Sequence, residues 1–213
     1  MTPALGGALS AATPPTRRDQ HKTRTRQALI DAALSLFASN GYDATSTEEI
    51  AERAGVSPRT FFRYFETKDS VLFFGGDDFN RALVEQLPGH PASLTDLAAI
   101  EATLVSLAPS LVRLKPRIRL YFRALSTSAA LVGQHANAMA AHEEALAAAL
   151  ARRSGLARPD EHCRIAAATT SVVMSRTLRR WLHEPNRDLA RLFAEGFEVV
   201  RDVSSGRGRG AAP

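Results

Sequence analysis

A chain of 213 residues, 45% hydrophobic and 23% charged, fits one large domain or one small plus one medium domain and is long enough to bury a core. Its one cysteine, Cys163, excludes an intramolecular disulfide framework and fits a reducing cytoplasm. A formal net charge of +5 points to an anionic partner such as nucleic acid, although its placement says more than its total.

Residues 1–16 hold Ala, Gly, Pro and Thr without periodicity, the composition of a disordered tail. No charged region precedes their first apolar residues, as a secretory signal requires. Up to Arg26 the charges are Arg17, Arg18, Lys22, Arg24 and Arg26 against Asp19, a net of +4, whereas residues 27–69 net −3. Residues 17–26 therefore read as a basic arm leading into the first helix, suited to DNA phosphates or the minor groove. The helix carries Leu29, Ile30, Ala33, Leu34 and Phe37 along one side. Asn40-Gly41 ends it, and Tyr42 packs back on the domain.

Residues 45–68, TSTEEIAERAGVSPRTFFRYFETK, predict two short helices joined by a tight turn. Ser46 and Glu49 have the spacing of a capping box. Ile50 and Ala51 face inward, and Gly55 stands where a helix end needs positive φ. Ser57 is a second N-cap with Pro58 at the first helical position. Phe61 and Phe65, four apart, share the buried face and leave Arg59, Thr60, Arg63 and Tyr64 outward. A capped helix presenting Arg, Thr and Tyr after such a turn is the pattern of a helix-turn-helix, whose second helix enters the major groove.

Together with the preceding helix, roughly residues 24–72 carry the series LF…NGY…T…IA…AGVS…TFF…YF…K. This stretch resembles the N-terminal DNA-binding domain of the TetR family of bacterial transcriptional regulators. The resemblance implies an all-α protein: an N-terminal three-helix DNA-binding domain and a C-terminal helical bundle for ligand binding and dimerisation. It also implies residue roles. Thr45 or Ser46, with Ser57, would donate to phosphates. Pro58, Arg59 and Thr60 would lead the recognition helix, Arg59 reading a guanine. Arg63 would read a base or clamp phosphate, and Tyr64 and Lys68 would hold the DNA backbone, with Arg17, Arg18 and Arg24 in the arm. Many members carry Tyr where this chain has Phe62, so a phosphate bond from that position is absent.

The expected division is a tail over residues 1–16, a DNA-binding domain with basic arm over 17–67, a ligand-binding and dimerisation domain over 68–203, and a second tail over 204–213. The connecting helix begins near Lys68. Gly75-Gly76 falls inside it, and each Gly costs a helix up to about 1 kcal/mol, which predicts a kink or break. Pro88-Gly89-His90-Pro91 is a loop, after which Ser93 caps a helix with Leu94, Leu97, Ile100, Leu104, Leu107 and Leu111 inward. Pro109 bends or ends that helix. Pro116 opens the next, and a long Ala-rich helix runs from about Ser128 to about Arg153, closed by Ser154-Gly155. Residues 124–142 lack charged side chains for about a membrane-spanning length, but their Ser, Thr, Gln, His and Asn residues argue for a helix packed in protein, away from membrane.

The last two helices, about residues 160–183 and 186–203, show wide apolar faces, Ile165, Ala168, Thr169, Val172, Val173, Thr177 and Trp181 on the first and Leu189, Leu192, Phe193, Phe197 and Val200 on the second. The resemblance makes them the homodimer interface. It also implies a pocket for a small, hydrophobic effector between connector and interface. Phe79, Leu83, Leu107, Tyr121, Phe122, Met139 and Met174 are candidate wall residues, and His135 a candidate polar anchor. LRRWLHEP and LARLFAEGFEVV are similar to an actinobacterial branch of the family in which some members sense long-chain acyl-CoA. Those phrases are dimer-helix patterns and carry no pocket chemistry.

An enzyme or metalloprotein is disfavoured. The six histidines are scattered, no Glu-x-x-His pair is present, and no Gly-rich phosphate loop occurs, so no catalytic residue, cofactor or metal is assigned. The expected function is a cytoplasmic, ligand-responsive repressor that binds palindromic double-stranded operator DNA as a homodimer. An activator of the same family and a nonspecific architectural DNA binder, to which the Arg207-Gly208-Arg209-Gly210 tail could contribute, are the alternatives.

Overall fold

The first helix begins earlier than its hydrophobic pattern suggests. In the computed structural model, which describes residues 16–184 and 186–206 and only the backbone of residues 73–77, α1 spans Arg17–Asn40. Thr16 and Asp19 form a capping box: the Asp19 amide donates to the Thr16 hydroxyl at 3.2 Å, and the Thr16 amide donates to the Asp19 carboxylate at 3.1 Å. The basic segment expected as an arm is thus the first turns of α1. The helix stops at Gly41, whose φ of +88° suits glycine. The expected tail residues 1–15 and 207–213 lie outside the described residues.

The chain continues through α2 (Thr47–Arg53), α3 (Pro58–Tyr64) and α4 (Ser70–Gln86), then a 3-10 turn (Leu87–Gly89). The body follows as α5 (Asp96–Arg113), α6 (Lys115–Leu125), α7 (Ala129–Arg153), α8 (Glu161–His183) and α9 (Leu189–Ser204). The protein is all-α, with an N-terminal helix-turn-helix and a C-terminal helical body. Among the described residues, no single helix is long and apolar enough to cross a membrane.

One local expectation is corrected, and two others each lose one of their alternatives. Helix α4 runs unbroken through Gly75-Gly76. Its start buries Val71 and Leu72 in one core and its end buries Phe79 and Leu83 in another. Each such side chain stabilises by about 1.5–3 kcal/mol, which together outweighs about 1 kcal/mol per glycine. Helix α5 is capped by Thr95, whose hydroxyl accepts from the Ala98 amide at 3.3 Å, so Ser93 is not the cap and Leu94 lies exposed ahead of the helix. Pro109 sits on the exposed side of α5 and the helix continues past it to Arg113. The sharp turn comes at Leu114, where α5 and α6 meet at 86°.

Two hydrophobic clusters organise the packing. The first gathers Leu29, Phe37, Ile50, Phe61, Phe65 and Val71 of the N-terminal helices, and takes in Ala124 and Leu125 of α6 and Leu131 of α7. The second joins the end of α4 to α5, the C-terminal half of α7, α8 and α9. Arg153 pins the loop before α5: it pairs with Asp96 at 2.7 Å and donates to the carbonyls of Pro91 and Leu94 at 2.8 and 2.7 Å.

The last two helices divide their apolar residues in an unexpected way. Val173, Thr177 and Trp181 of α8, with Leu189, Leu192, Phe193 and Phe197 of α9, are buried within the single chain. The large apolar residues left outward are Ile165 and Val172 on α8, exposed by 59% and 58%, and Val199 and Val203 on α9, exposed by 59% and 78%.

Candidate nucleic-acid interface

Helices α2 and α3 are held in place by their caps and by two phenylalanines. The Ser46 amide donates to the Glu49 carboxylate at 2.7 Å, and the Glu49 amide returns a bond to the Ser46 hydroxyl at 3.2 Å. Those bonds favour the carboxylate and lower the Glu49 pKa. Gly55, at φ +70°, turns the chain, and the Val56 amide closes on the Ala51 carbonyl at 2.9 Å. Ser57 then caps α3 by accepting from the Thr60 amide at 3.2 Å. Phe61 and Phe65 are buried beneath α3 with ring centroids 5.7 Å apart. Arg59 and Arg63 are exposed, Pro58 is exposed at the leading end, and Thr60 and Tyr64 are half-buried at the margins.

Not every expected phosphate donor lies on this surface. Thr45 is buried and its hydroxyl donates to the Gly41 carbonyl at 2.8 Å. Ser46 is partly exposed, with its hydroxyl 2.9 Å from Glu49 Oε2. The Ser57 and Thr60 hydroxyls lie 3.0 Å apart. Lys68 reaches inward: its ammonium donates to the carbonyls of Tyr42 and Thr45 at 2.7 and 2.8 Å and rests 4.1 Å from the Tyr42 ring centroid. It fastens the start of α4 to the loop between α1 and α2, leaving one of its three N–H donors for other use.

The basic start of α1 turns only some of its residues toward α3. Asp19, Lys22, Thr23 and Arg26 follow the i, i+3, i+4, i+7 spacing of one helix face, and with Arg63 and Tyr64 of α3 they line a groove of about 470 Å3. Arg17, Arg18 and Arg24 are exposed and outside the groove, and 100° steps put Arg17 and Arg24 on the opposite side of α1. Lys22, Thr23 and Arg26 were legible as a set only once this segment was known to be helical. The Arg63 guanidinium lies 5.3 Å from the Tyr64 ring centroid, and that of Arg26 lies 5.8 Å from the Phe65 centroid.

Helix α6 connects this unit to the body. Arg117 donates to both oxygens of Asp31 on α1 at 2.6 and 2.7 Å and also to Gln27. The Tyr42 amide donates to the Thr127 hydroxyl at 3.2 Å. The candidate effector residues divide about this helix. Phe79 and Leu83 are buried in the body core, with Leu107 and Met174 packed against it, whereas Tyr121 and Phe122 pack against the N-terminal cluster. Met139 is half-buried on α7. Tyr121 Oη lies 2.6 Å from Nδ1 of His135, joining α6 to α7. Burial raises the Tyr121 pKa, while burial and then the positive charges of Arg179 and His142 lower that of His135. None of the eight lines the α1–α3 groove or a second one of about 300 Å3 between α7 and α8.

Comparison with known proteins bears on the whole arrangement. Residues 29–73 match the model for bacterial regulatory proteins of the tetR family, and residues 96–205, just over half of the chain, match that for the MftR C-terminal domain. The chain belongs to the TetR family. It is accordingly a DNA-binding transcriptional regulator and not an enzyme. It is 26% identical over 190 residues to MftR of Mycobacterium tuberculosis, a candidate mycofactocin biosynthesis transcriptional regulator, covering 87% of this chain and 93% of that one. Over 86 residues it is 40% identical to the transcriptional regulator TcmR of Streptomyces glaucescens, covering 40% of this chain and 38% of TcmR, so that likeness spans well under half of the relative. Among solved structures, a SmeT–triclosan complex superposes with a TM-score of 0.58 at 20% identity, covering 89% of this chain and 97% of the other. FadR of Thermus thermophilus with lauroyl-CoA gives 0.53 at 23% identity, over 88% and 97%. At such identities the two structures share the fold with this TetR-family chain and carry no ligand across.

Proposed function

We propose that this TetR-family chain is a ligand-responsive repressor that acts in the cytoplasm as a homodimer and lays α3 of each protomer in the major groove of a palindromic operator. The observation that carries the reading is α3 itself, capped by Ser57, locked from beneath by Phe61 and Phe65, and offering Arg59 and Arg63 outward. Arg59, next to the leading Pro58, pairs with guanine O6 and N7. Lys22, Thr23 and Arg26 with Arg63 and Tyr64 receive backbone phosphates in the α1–α3 groove, fixing register without reading sequence. Ser46, Ser57 and the third donor of Lys68 add further phosphate contacts.

Residues 17–67 serve as the reading domain and residues 68–203 as the sensing and dimerising domain. The exposed apolar residues Ile165 and Val172 of α8 and Val199 and Val203 of α9 are what pairing with a second copy would cover. The effector is a small apolar molecule that enters among Phe79, Leu83, Leu107 and Met174 and meets Tyr121 and His135 as polar contacts. To release DNA it must bind a second arrangement of α4 and α6 more tightly than this one. Arg117, bonded to Asp31, passes such a shift to α1.

Fluorescence anisotropy on operator and unrelated DNA over a salt series tests the reading. Affinity for the operator should fall steeply with salt, by a slope of about −0.9 per phosphate contacted. Arg59→Ala should relax preference at one base pair per half-site, while Lys22→Ala should weaken all sequences alike and lower the slope. Equal losses from Arg59→Ala on every sequence would contradict the division of roles.

A further inference from the structure

Phe62 is the one exposed side chain among the described aromatics, open by 55% while Phe61 and Phe65 on the same helix are sealed beneath it. It cannot fold inward. Its ring meets Phe61 edge-on, at 82° with centroids 5.4 Å apart, and the space below is filled by Phe61 and Phe65. Helix steps of 100° put Phe62 beside the leading Pro58, on the flank of the face that carries Arg59 and Arg63. An apolar ring in water is unfavourable, and with two exposed arginines along one side of it the ring is poorly suited to bury against another protein surface unless that surface is strongly acidic. DNA is such a partner: its phosphates match Arg59 and Arg63, and its major groove offers an apolar feature in the 5-methyl group of thymine.

We infer that Phe62 is a specificity-determining residue that packs on the 5-methyl group of one thymine in each operator half-site. The ring carries no donor or acceptor, so it does not clamp phosphate. It also leaves no polar group to satisfy on the base edge. The contact rewards a methyl in the groove whatever base carries it, so 5-methylcytosine is preferred to cytosine at the same position. This rests on the operator reading of α3.

The test uses the full chain and an operator selected from random DNA. Each thymine is replaced in turn by deoxyuridine, which removes the methyl and leaves every hydrogen-bonding group in place. One thymine per half-site should respond, with wild-type affinity falling about three- to fivefold per methyl removed, as burial of one methyl-sized group implies. Phe62→Ala should bind the thymine operator more weakly and lose the distinction between thymine and deoxyuridine at that position alone. Phe62→Leu, which keeps an apolar contact, should retain part of it. At the same position 5-methylcytosine should bind more tightly than cytosine in the wild type, and equally in Phe62→Ala. If no thymine is sensitive to deoxyuridine while Arg59→Ala still relaxes base preference, the Phe62 inference fails and the operator reading stands. Undiminished methyl sensitivity in Phe62→Ala assigns the contact to another residue and overturns the inference. A change in oligomeric state on Phe62→Ala, without loss of methyl discrimination, assigns the ring to a protein contact and also overturns it. If no sequence is enriched, both fall together.

Discussion

Lys68, expected at the DNA backbone, is claimed first by the fold. Two of its donors are spent on the carbonyls of Tyr42 and Thr45, so it closes the corner where α1, α2 and α4 meet. Hydrogen bonds to charged groups are worth about 1.5–3 kcal/mol. Lys68→Met should therefore cost about 2 kcal/mol in urea unfolding without DNA, where a lysine serving phosphate alone would leave the midpoint unchanged. His135 supports a second prediction at this scale. Burial, Arg179 and His142 hold its pKa below the ordinary value, so between the two values the unfolded chain binds more protons and stability rises with pH. Thermal stability should fall as pH drops from about 7.5 to about 5.5, through the ordinary histidine pKa of about 6.5. His135→Asn should flatten the part of the slope that this residue contributes, and an identical slope in the variant would rule it out.

At the scale of elements, closeness of approach decides the packing of α8 against α9. A Cβ on Gly196 would stand 2.8 Å from Val173 Cγ1 and 3.3 Å from Thr177 Oγ1. Gly196→Ala should destabilise by about 1–3 kcal/mol, the usual cost of overpacking, and Val173→Ala in the same chain should return part of it. Differential unfolding of the two variants in urea measures both. Local signals of this kind were unevenly legible in the sequence. Ser46 with Glu49, Gly41, Gly55 and Ser57-Pro58 act within a turn of chain, and the structure uses each as its residue type predicts. Thr16 with Asp19 is the same kind of signal, but the charge of the segment suggested an arm and hid the i, i+3, i+4, i+7 face of Lys22, Thr23 and Arg26. At Gly75-Gly76 the local preference was read correctly and overridden, because two separate cores hold the two ends of α4.

For the whole molecule, the decisive contacts are those no local pattern reveals. Helix α6 lies far from α1 in sequence, yet it completes the N-terminal core with Ala124 and Leu125 and ties to Asp31 through Arg117. The apolar faces of α8 and α9 were visible from periodicity, but which residues serve the single chain and which remain outward required three dimensions. Val172→Glu combined with Ile165→Glu should leave the fold intact, since both residues are exposed, and should shift the chain to monomer in sedimentation velocity. A dimer that persists would place the interface elsewhere. The central claim, that two copies of α3 read one symmetric DNA sequence, is tested most directly by selecting binding sites for the full chain from random double-stranded DNA. The predicted result is a palindrome whose half-sites lie about one helical turn apart, roughly 10–10.5 base pairs or slightly more, and whose enrichment is lost with Arg59→Ala. Recovery of unenriched DNA bound with uniform affinity would contradict it.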